Sequence, residues 1–240
     1  MTTPRSQRSG PSARLEGRSG ESLEGLLREL GASVARGGGV ALPSGRFPTG
    51  LAAIDDALGG GFPRGRVSEV VGPGCCGRTS LALALLARTT ARGELGAVVD
   101  RADAFDAGSA AAAGVDLERV LWVRPRGVPE ALRSVEHVLQ AGGFPLVLLD
   151  LSSEAGDPRI PGVAWPRLRK AAAATASALV LLGRRRLAGP FADLALELDA
   201  ARPRFESGPD WLAGFETRVR LVRSRAGPAG TDVAVRWRAA

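Results

Sequence analysis

This 240-residue sequence predicts an α/β fold, with a mostly parallel sheet covered by helices and antiparallel strands at its C-terminal edge. Three observations carry that prediction. The nearly continuous apolar runs PLVLLDL (145–151) and SALVLLG (177–183) have the pattern of strands buried on both faces. Segments with helical apolar spacing separate such runs, so strands and helices alternate along the chain. The stretch VVGPGCCGRTSLALALL (70–86) reads as a strand end, a glycine-rich turn and a helix, the layout of a phosphate-binding loop.

Taken in order, residues 1–20 are rich in Ser, Gly, Pro and Arg with almost no apolar side chains, and predict a disordered basic tail. In 21–39, Leu23, Leu26, Leu27 and Leu30 fall on one face of an N-terminal helix that stops at Gly31 or at the glycine run 37–39. A core domain is expected over 40–240, opening with a turn-rich lead-in and a short helix at Leu51–Leu58. Strands are then predicted near 67–71, 96–100, 119–124, 145–150 and 178–183, with helices near 79–92, 104–113, 129–141 and 164–176. After residue 190 the segments LALELDA, FETRVRLVRS and TDVAVRWRAA read as strands without intervening helices, extending the sheet as antiparallel edge strands.

Composition narrows the function class. Hydrophobic residues make up 45% and charged residues 24%, which is globular, and with 5% aromatic residues and no tyrosine the core must be built from Leu, Val and Ala. A net charge of +7 favours a polyanionic partner, because clustered cations release counterions from phosphates. Only one of the 32 basic residues, Lys170, is a lysine, so compositional bias accounts for that charge equally well. The two cysteines, Cys75 and Cys76, are adjacent and fit neither a disulfide framework nor metal-ligand spacing. No run approaches the ~18 apolar residues of a membrane span and the N-terminus has no apolar h-region. A soluble, cytoplasmic protein without membrane contact is expected.

In GPGCCGRT, Gly72 and Gly77 stand at the spacing of G-x-x-x-x-G-K-[ST], with Pro73, Gly74, Cys75 and Cys76 between them and Arg78 in place of lysine, followed by Thr79 and Ser80. Glycines let backbone N–H groups converge on phosphate oxygens, and the next helix adds its dipole. The Thr79 hydroxyl and Asp150, which ends an apolar strand, are the candidate magnesium ligands. A guanidinium is planar and bidentate where an ammonium is a compact point charge, so Arg78 is not a conservative replacement. A glycine turn that only closes a strand–helix corner is the structural alternative.

FPTGLAAIDDALGGGFPRGRVSEVVGPGCCGRTSLALALL (47–86) resembles the RecA and RadA recombinases, with Thr-Gly, an Asp-x-x-Leu-Gly-Gly-Gly run, Pro-x-Gly and a strand into the glycine loop. The likeness continues through AVVDRADAFDAGSAAAAGVDLERVLWVRP and LVLLD to FETRVRLVRSRAG, covering about 47–238. It implies a RecA-like P-loop core with ATP and Mg²⁺ as weakly held ligands. Three positions depart from that pattern: Arg78 for the loop lysine, Ala102 for the glutamate that polarises water, and Ser109 for the tyrosine that stacks on adenine. Without the water-orienting carboxylate, efficient hydrolysis is not expected. The second DNA loop of the family shrinks to RRRLAGP, whose Arg184, Arg185 and Arg186 are candidate phosphate contacts or a solvated turn.

A short RecA-like chain with a degenerate nucleotide site resembles ImuA, the accessory protein of bacterial mutagenesis cassettes. That resemblance implies a role in the SOS response and translesion synthesis. The partners it implies are an ImuB-like Y-family polymerase homologue, an error-prone polymerase and RecA, with single-stranded DNA as a further contact. Trp165, flanked by Arg159, Arg167, Arg169 and Lys170, is the candidate base-stacking residue. His137 is read as structural. Two alternatives stay open: an active DNA-dependent ATPase in which Asp103 orients water, and an ATP-sensing regulator without DNA contact.

Overall fold

Val67–Val71 (β3), sequence VSEVV, is buried at every position and forms the centre of the sheet in the computed structural model. Residues 45–152, 158–205, 211–225 and 229–238 are described; the expected tail and N-terminal helix lie outside them. Every described residue belongs to one compact unit within Ser33–Ala240.

The core alternates as expected. Before β3 come Arg46–Phe47 (β1), the short helix Ala52–Ala57 (α1) and Phe62–Pro63 (β2), with β1 and β2 paired antiparallel. After it run Arg78–Thr90 (α2), Gly96–Asp100 (β4), Ala107–Ala112 (α3), Val120–Val123 (β5), Val128–Ala141 (α4), Leu146–Asp150 (β6), Ala164–Thr175 (α5) and Ala178–Gly183 (β7). The C-terminal part contains Leu194–Leu198 (β8), Arg202–Phe205 (β9), Leu212–Ser224 (β10) and Asp232–Arg238 (β11). Among the described residues the main sheet is ordered β11-β10-β8-β3-β7-β6-β4-β5, with β9 also paired to β10. Leu81, Leu85 and Leu86 of α2 and Leu146, Leu148, Val180 and Leu196 of the strands meet in the hydrophobic core.

Two differences from the sequence reading have clear causes. Strand β8 runs parallel to β3 and lies inside the sheet; only β9, β10 and β11 form the antiparallel edge. Since β7 is also parallel to β3, residues 184–193 must return along the sheet from the end of β7 to the start of β8 with only a short 3₁₀ turn at Gly189–Phe191. Such a connection lacks its own ladder, and buried N–H groups need partners. Glu69, the one acidic residue in β3 and fully buried, supplies them: its Oε1 accepts from Leu187 N and Ala188 N, both at 2.6 Å.

The second difference is the start of α3, expected at 104 and found at Ala107. Asp100, buried at the end of β4, accepts from Ala104 N at 3.1 Å and Phe105 N at 2.8 Å, which holds the segment after β4 as a loop. Asp106 then caps the helix through Ser109 N at 2.6 Å.

Candidate functional site

The glycine loop joins β3 to α2 at the C-terminal end of the parallel strands. Cys75 (φ +54°) and Gly77 (φ +91°) both turn through the left-handed region, a conformation that costs a non-glycine residue such as Cys75 about 1–2 kcal/mol. At Gly72 a Cβ would lie 2.4 Å from Leu198 O, so the strand can bend into the loop only without a side chain.

Residues far along the chain hold this loop in place. Ala201 N donates to Cys75 O at 3.1 Å and the buried Thr217 hydroxyl donates to Cys76 O at 3.0 Å. Phe215 and Trp237, stacked with ring centroids 6.0 Å apart, sit against Gly77, where a Cβ would be 3.0 Å from the indole Nε1. Between the loop and the β9–β10 strands lies a cleft of about 410 Å³, lined on one side by Cys75–Ser80 and on the other by Pro203, Leu212, Gly214 and Phe215. Pro203, Leu212, Gly214 and Phe215 were not singled out from sequence. The signal that was available is a polar residue, Thr217, at a buried position of an otherwise alternating strand.

Arg78 is the first residue of α2, and its guanidinium turns back onto the loop. One Nη donates to the carbonyls of Gly72 and Pro73, the latter at 2.9 Å, and lies 3.6 Å from Cys76 Sγ. The Nε is buried with no partner. Four loop carbonyls, those of Gly72, Pro73, Cys75 and Cys76, are thus satisfied within the protein. Thr79 is exposed and Ser80 half-exposed.

Asp150 ends β6, directly opposite Asp100 in the parallel register. Its Oδ1 accepts from the backbone N–H of Ser152 at 2.8 Å and from the Ser152 hydroxyl. Burial pushes the Asp150 carboxyl above the usual carboxylate range, opposed by the bonds from Ser152 and, less strongly, by the nearby Arg78 charge, while Asp100 adds to the rise. The loop fits a phosphoryl group only at its cleft side, where Thr79 is exposed; the crowding at Gly72 and Gly77 comes from Leu198 O and the Trp237 indole. Thr79 and the second oxygen of Asp150 are the oxygen donors that a magnesium ion could use. No cluster of three or more metal-ligating side chains occurs among the described residues.

The other predicted residues separate. Asp103, at φ +52°, is bound bidentately by Arg124 at 2.7 and 2.8 Å, and that hydrogen-bonded pairing holds its carboxyl below the usual range. It is therefore engaged with the β5 edge, where Arg124 also lies over the Trp122 ring at 4.9 Å. Ala102 carries no polar side chain, and Ser109 is exposed on α3.

Of the expected DNA contacts, Arg184 and Arg185 are exposed, whereas Arg186 is drawn to Glu69 with its Nε 3.6 Å from Oε2, and donates to Gly189 O at 3.3 Å. RRRLAGP is thus part of the pinned crossover between β7 and β8. Trp165 is corrected: it is 3% exposed, on the face of α5 that also buries Leu168 and Ala172, and its ring is not available to a base. His137 is exposed on α4. No helix among the described residues is long and apolar enough to cross a membrane.

Comparison with known proteins places this geometry. The RecA N-terminal domain model matches residues 29–160. RecA of Prochlorococcus marinus (strain MIT 9303) is 41% identical over 104 residues, covering 43% of this chain and 27% of that protein. RecA of Chlorobium chlorochromatii (strain CaD3) is 30% identical over 212 residues, covering 75% of this chain and 60% of its own length. The crystal structure of the RadB recombinase superposes with a TM-score of 0.61 at 21% identity, over 79% of this chain and 95% of that one, and so shares the fold. The chain spans less than a third of the Prochlorococcus relative and under two thirds of the Chlorobium one. With a family match across more than half its length, and a glycine loop set between β3 and α2, this chain belongs to the RecA family.

Proposed function

We propose that this RecA-family chain is an accessory protein of the DNA damage response, acting in SOS-induced translesion synthesis through protein partners and single-stranded DNA. In this reading the glycine loop serves as architecture and holds ATP and Mg²⁺ weakly. The observation that carries it is the Arg78 guanidinium, which is spent on the carbonyls of its own loop. The lack of a water-orienting carboxylate supports it, since Ala102 stands at that place and Asp103 is engaged by Arg124. An ImuB-like Y-family polymerase homologue, an error-prone polymerase and RecA are the partners this role implies. Arg184 and Arg185 are the surface cations offered to phosphates on the crossover loop.

The direct test is Mg²⁺-dependent ATP hydrolysis by the purified chain, with and without single-stranded DNA, beside Arg78→Ala. No DNA-stimulated turnover is expected. Weak occupancy is readable through Cys75, which is exposed and lines the cleft while Cys76 is buried. Millimolar ATP should slow alkylation of Cys75, and micromolar ATP should not. DNA-stimulated turnover lost in Arg78→Ala would establish the other reading, an active DNA-dependent ATPase, which the intact cleft and Asp150 favour. Normal damage-induced mutation in a strain lacking the protein would remove the proposed role altogether.

A further inference from the structure

At the opposite end of the sheet from the glycine loop, a pocket of about 290 Å³ is lined by Arg46, Arg66, Arg169 and Arg225, with Asp193 at the start of β8. Four guanidiniums face one carboxylate there. Asp193 is an internal counterion for two of them: Arg225 Nε lies 3.2 Å from Oδ1 and an Arg169 Nη lies 3.7 Å from Oδ2. Among the described residues Arg46 makes only a long bond of 3.4 Å to Gly61 O. Arg66 is exposed, and its side chain has no hydrogen-bond or ion-pair partner among the described residues. Among the described residues two cations are therefore left over at the pocket wall, with the other two sharing one carboxylate.

The carboxylate adds a second requirement. The Asp193 side chain is 8% exposed, and its Oδ2 is buried with no hydrogen bond, since 3.7 Å to Arg169 is too long for one. A buried acceptor of this kind calls for a donor. A ligand that satisfies the whole pocket must bring anionic oxygens for the arginines and one O–H for Asp193. A carboxylate or sulfate at neutral pH has the first and not the second, and would repel Asp193. Hydrogen phosphate has both, with two negative charges, free oxygens matched to guanidinium forks, and a remaining O–H.

We propose that this pocket is a binding site for a phosphoryl oxyanion that retains one O–H, in which Arg46, Arg66, Arg169 and Arg225 hold the charged oxygens and Asp193 Oδ2 accepts the proton-bearing one. Inorganic phosphate meets this at neutral pH; a phosphomonoester end meets it in its protonated form. The site is independent of the glycine loop and of the proposed accessory role.

The test is calorimetric titration of the full chain with inorganic phosphate and, at matched ionic strength, with sulfate. A short oligonucleotide carrying a 5′-phosphate and the same strand with a 5′-hydroxyl separate the monoester source from the free ion. Phosphate should bind more tightly than sulfate, and Arg66→Ala and Arg46→Ala should each weaken it about tenfold, the worth of one charge-assisted bond. Asp193→Asn should level phosphate and sulfate; because that change also touches two ion pairs, the exposed Arg66→Ala keeps the test decisive if Asp193→Asn does not fold. Equal affinity for sulfate and phosphate in the unaltered chain would overturn the proposal. So would phosphate binding that survives Arg66→Ala but falls with Arg78→Ala, which would place the ion in the glycine loop. Binding of both oligonucleotides alike, lost in Arg66→Ala and without affinity for inorganic phosphate, would mean a grip on phosphodiester backbone and would also overturn it.

Discussion

Replacing Arg78 tests whether its guanidinium is a latch or a ligand-binding group. In the structure it donates to Gly72 O and Pro73 O, and each such bond from a charged donor contributes about 1.5–3 kcal/mol when fully buried. Arg78 is only half-buried and Pro73 is exposed, so the pair is discounted to about 2 kcal/mol in all. For a domain of roughly 200 residues, where each kcal/mol moves Tm by about 2–4 °C, Arg78→Ala should melt about 4–8 °C lower. Calorimetric melting without nucleotide measures this directly. Arg78→Lys should fall between the two, because a single ammonium reaches fewer carbonyls, and it should bind Mg-ATP more tightly than the unaltered chain by freeing the cradle. If Arg78→Ala melts within about 1 °C of the unaltered chain while nucleotide affinity collapses, the latch is wrong and Arg78 is a phosphate ligand.

Three further outcomes are expected. Burial raises the Asp150 pKa, so the native state keeps that proton to higher pH than the unfolded chain does; its contribution to stability is lost as pH rises from the ordinary carboxylate value through the raised one. Asp150→Asn should therefore melt higher at neutral pH and show a flatter acid profile, and a lower Tm at neutral pH would contradict this. Glu69→Ala should cost roughly 3 kcal/mol or more, measured as a lower urea midpoint, because it strands two backbone donors and Arg186; Glu69→Gln, which keeps one oxygen for Leu187 and Ala188, should cost clearly less. Thr217→Val, nearly isosteric, should cost about 1–3 kcal/mol through the stranded Cys76 carbonyl, and faster Cys76 alkylation should accompany it.

The parallel core was legible because its strands are buried on both faces: 67–71, 96–100 and 178–183 were expected at the bounds observed. Where the reading departed, a single side chain decided the local structure. Asp100 takes the amides of Ala104 and Phe105 and delays α3, although alanine-rich sequence favours helix from 104. Glu69 makes a helix-free return possible between β7 and β8, which is why β8 lies inside the sheet and RRRLAGP is not a free loop. Trp165 shares its face with Leu168 and Ala172 at helical spacing, so its burial was readable from the apolar stripe had its arginine neighbours weighed less. The glycine loop itself was readable from Gly72 and Gly77. Its supports Ala201, Thr217 and Phe215 were not, because they lie more than 120 residues along the chain, Ala201 after β8 and the other two on β10, and meet the loop only in the folded sheet.

Those supports change what the glycine pattern means. In a loop that depends on its ligand, phosphate oxygens order the backbone and the glycines exist to admit them. Here Gly72 is required by Leu198 O at 2.4 Å from where a Cβ would stand, and Gly77 by a positive φ and by the Trp237 indole. The loop carbonyls are bonded by Arg78, Ala201 and Thr217 with no ligand needed to complete them. Packing around Gly72 and Gly77 therefore accounts for both glycines without a nucleotide. Persistence of the motif cannot distinguish a nucleotide site from a strand–helix corner. Competition would distinguish them: if a phosphate draws Arg78 away from Gly72 and Pro73, nucleotide affinity falls by whatever stability that latch confers, and Arg78→Lys restores it.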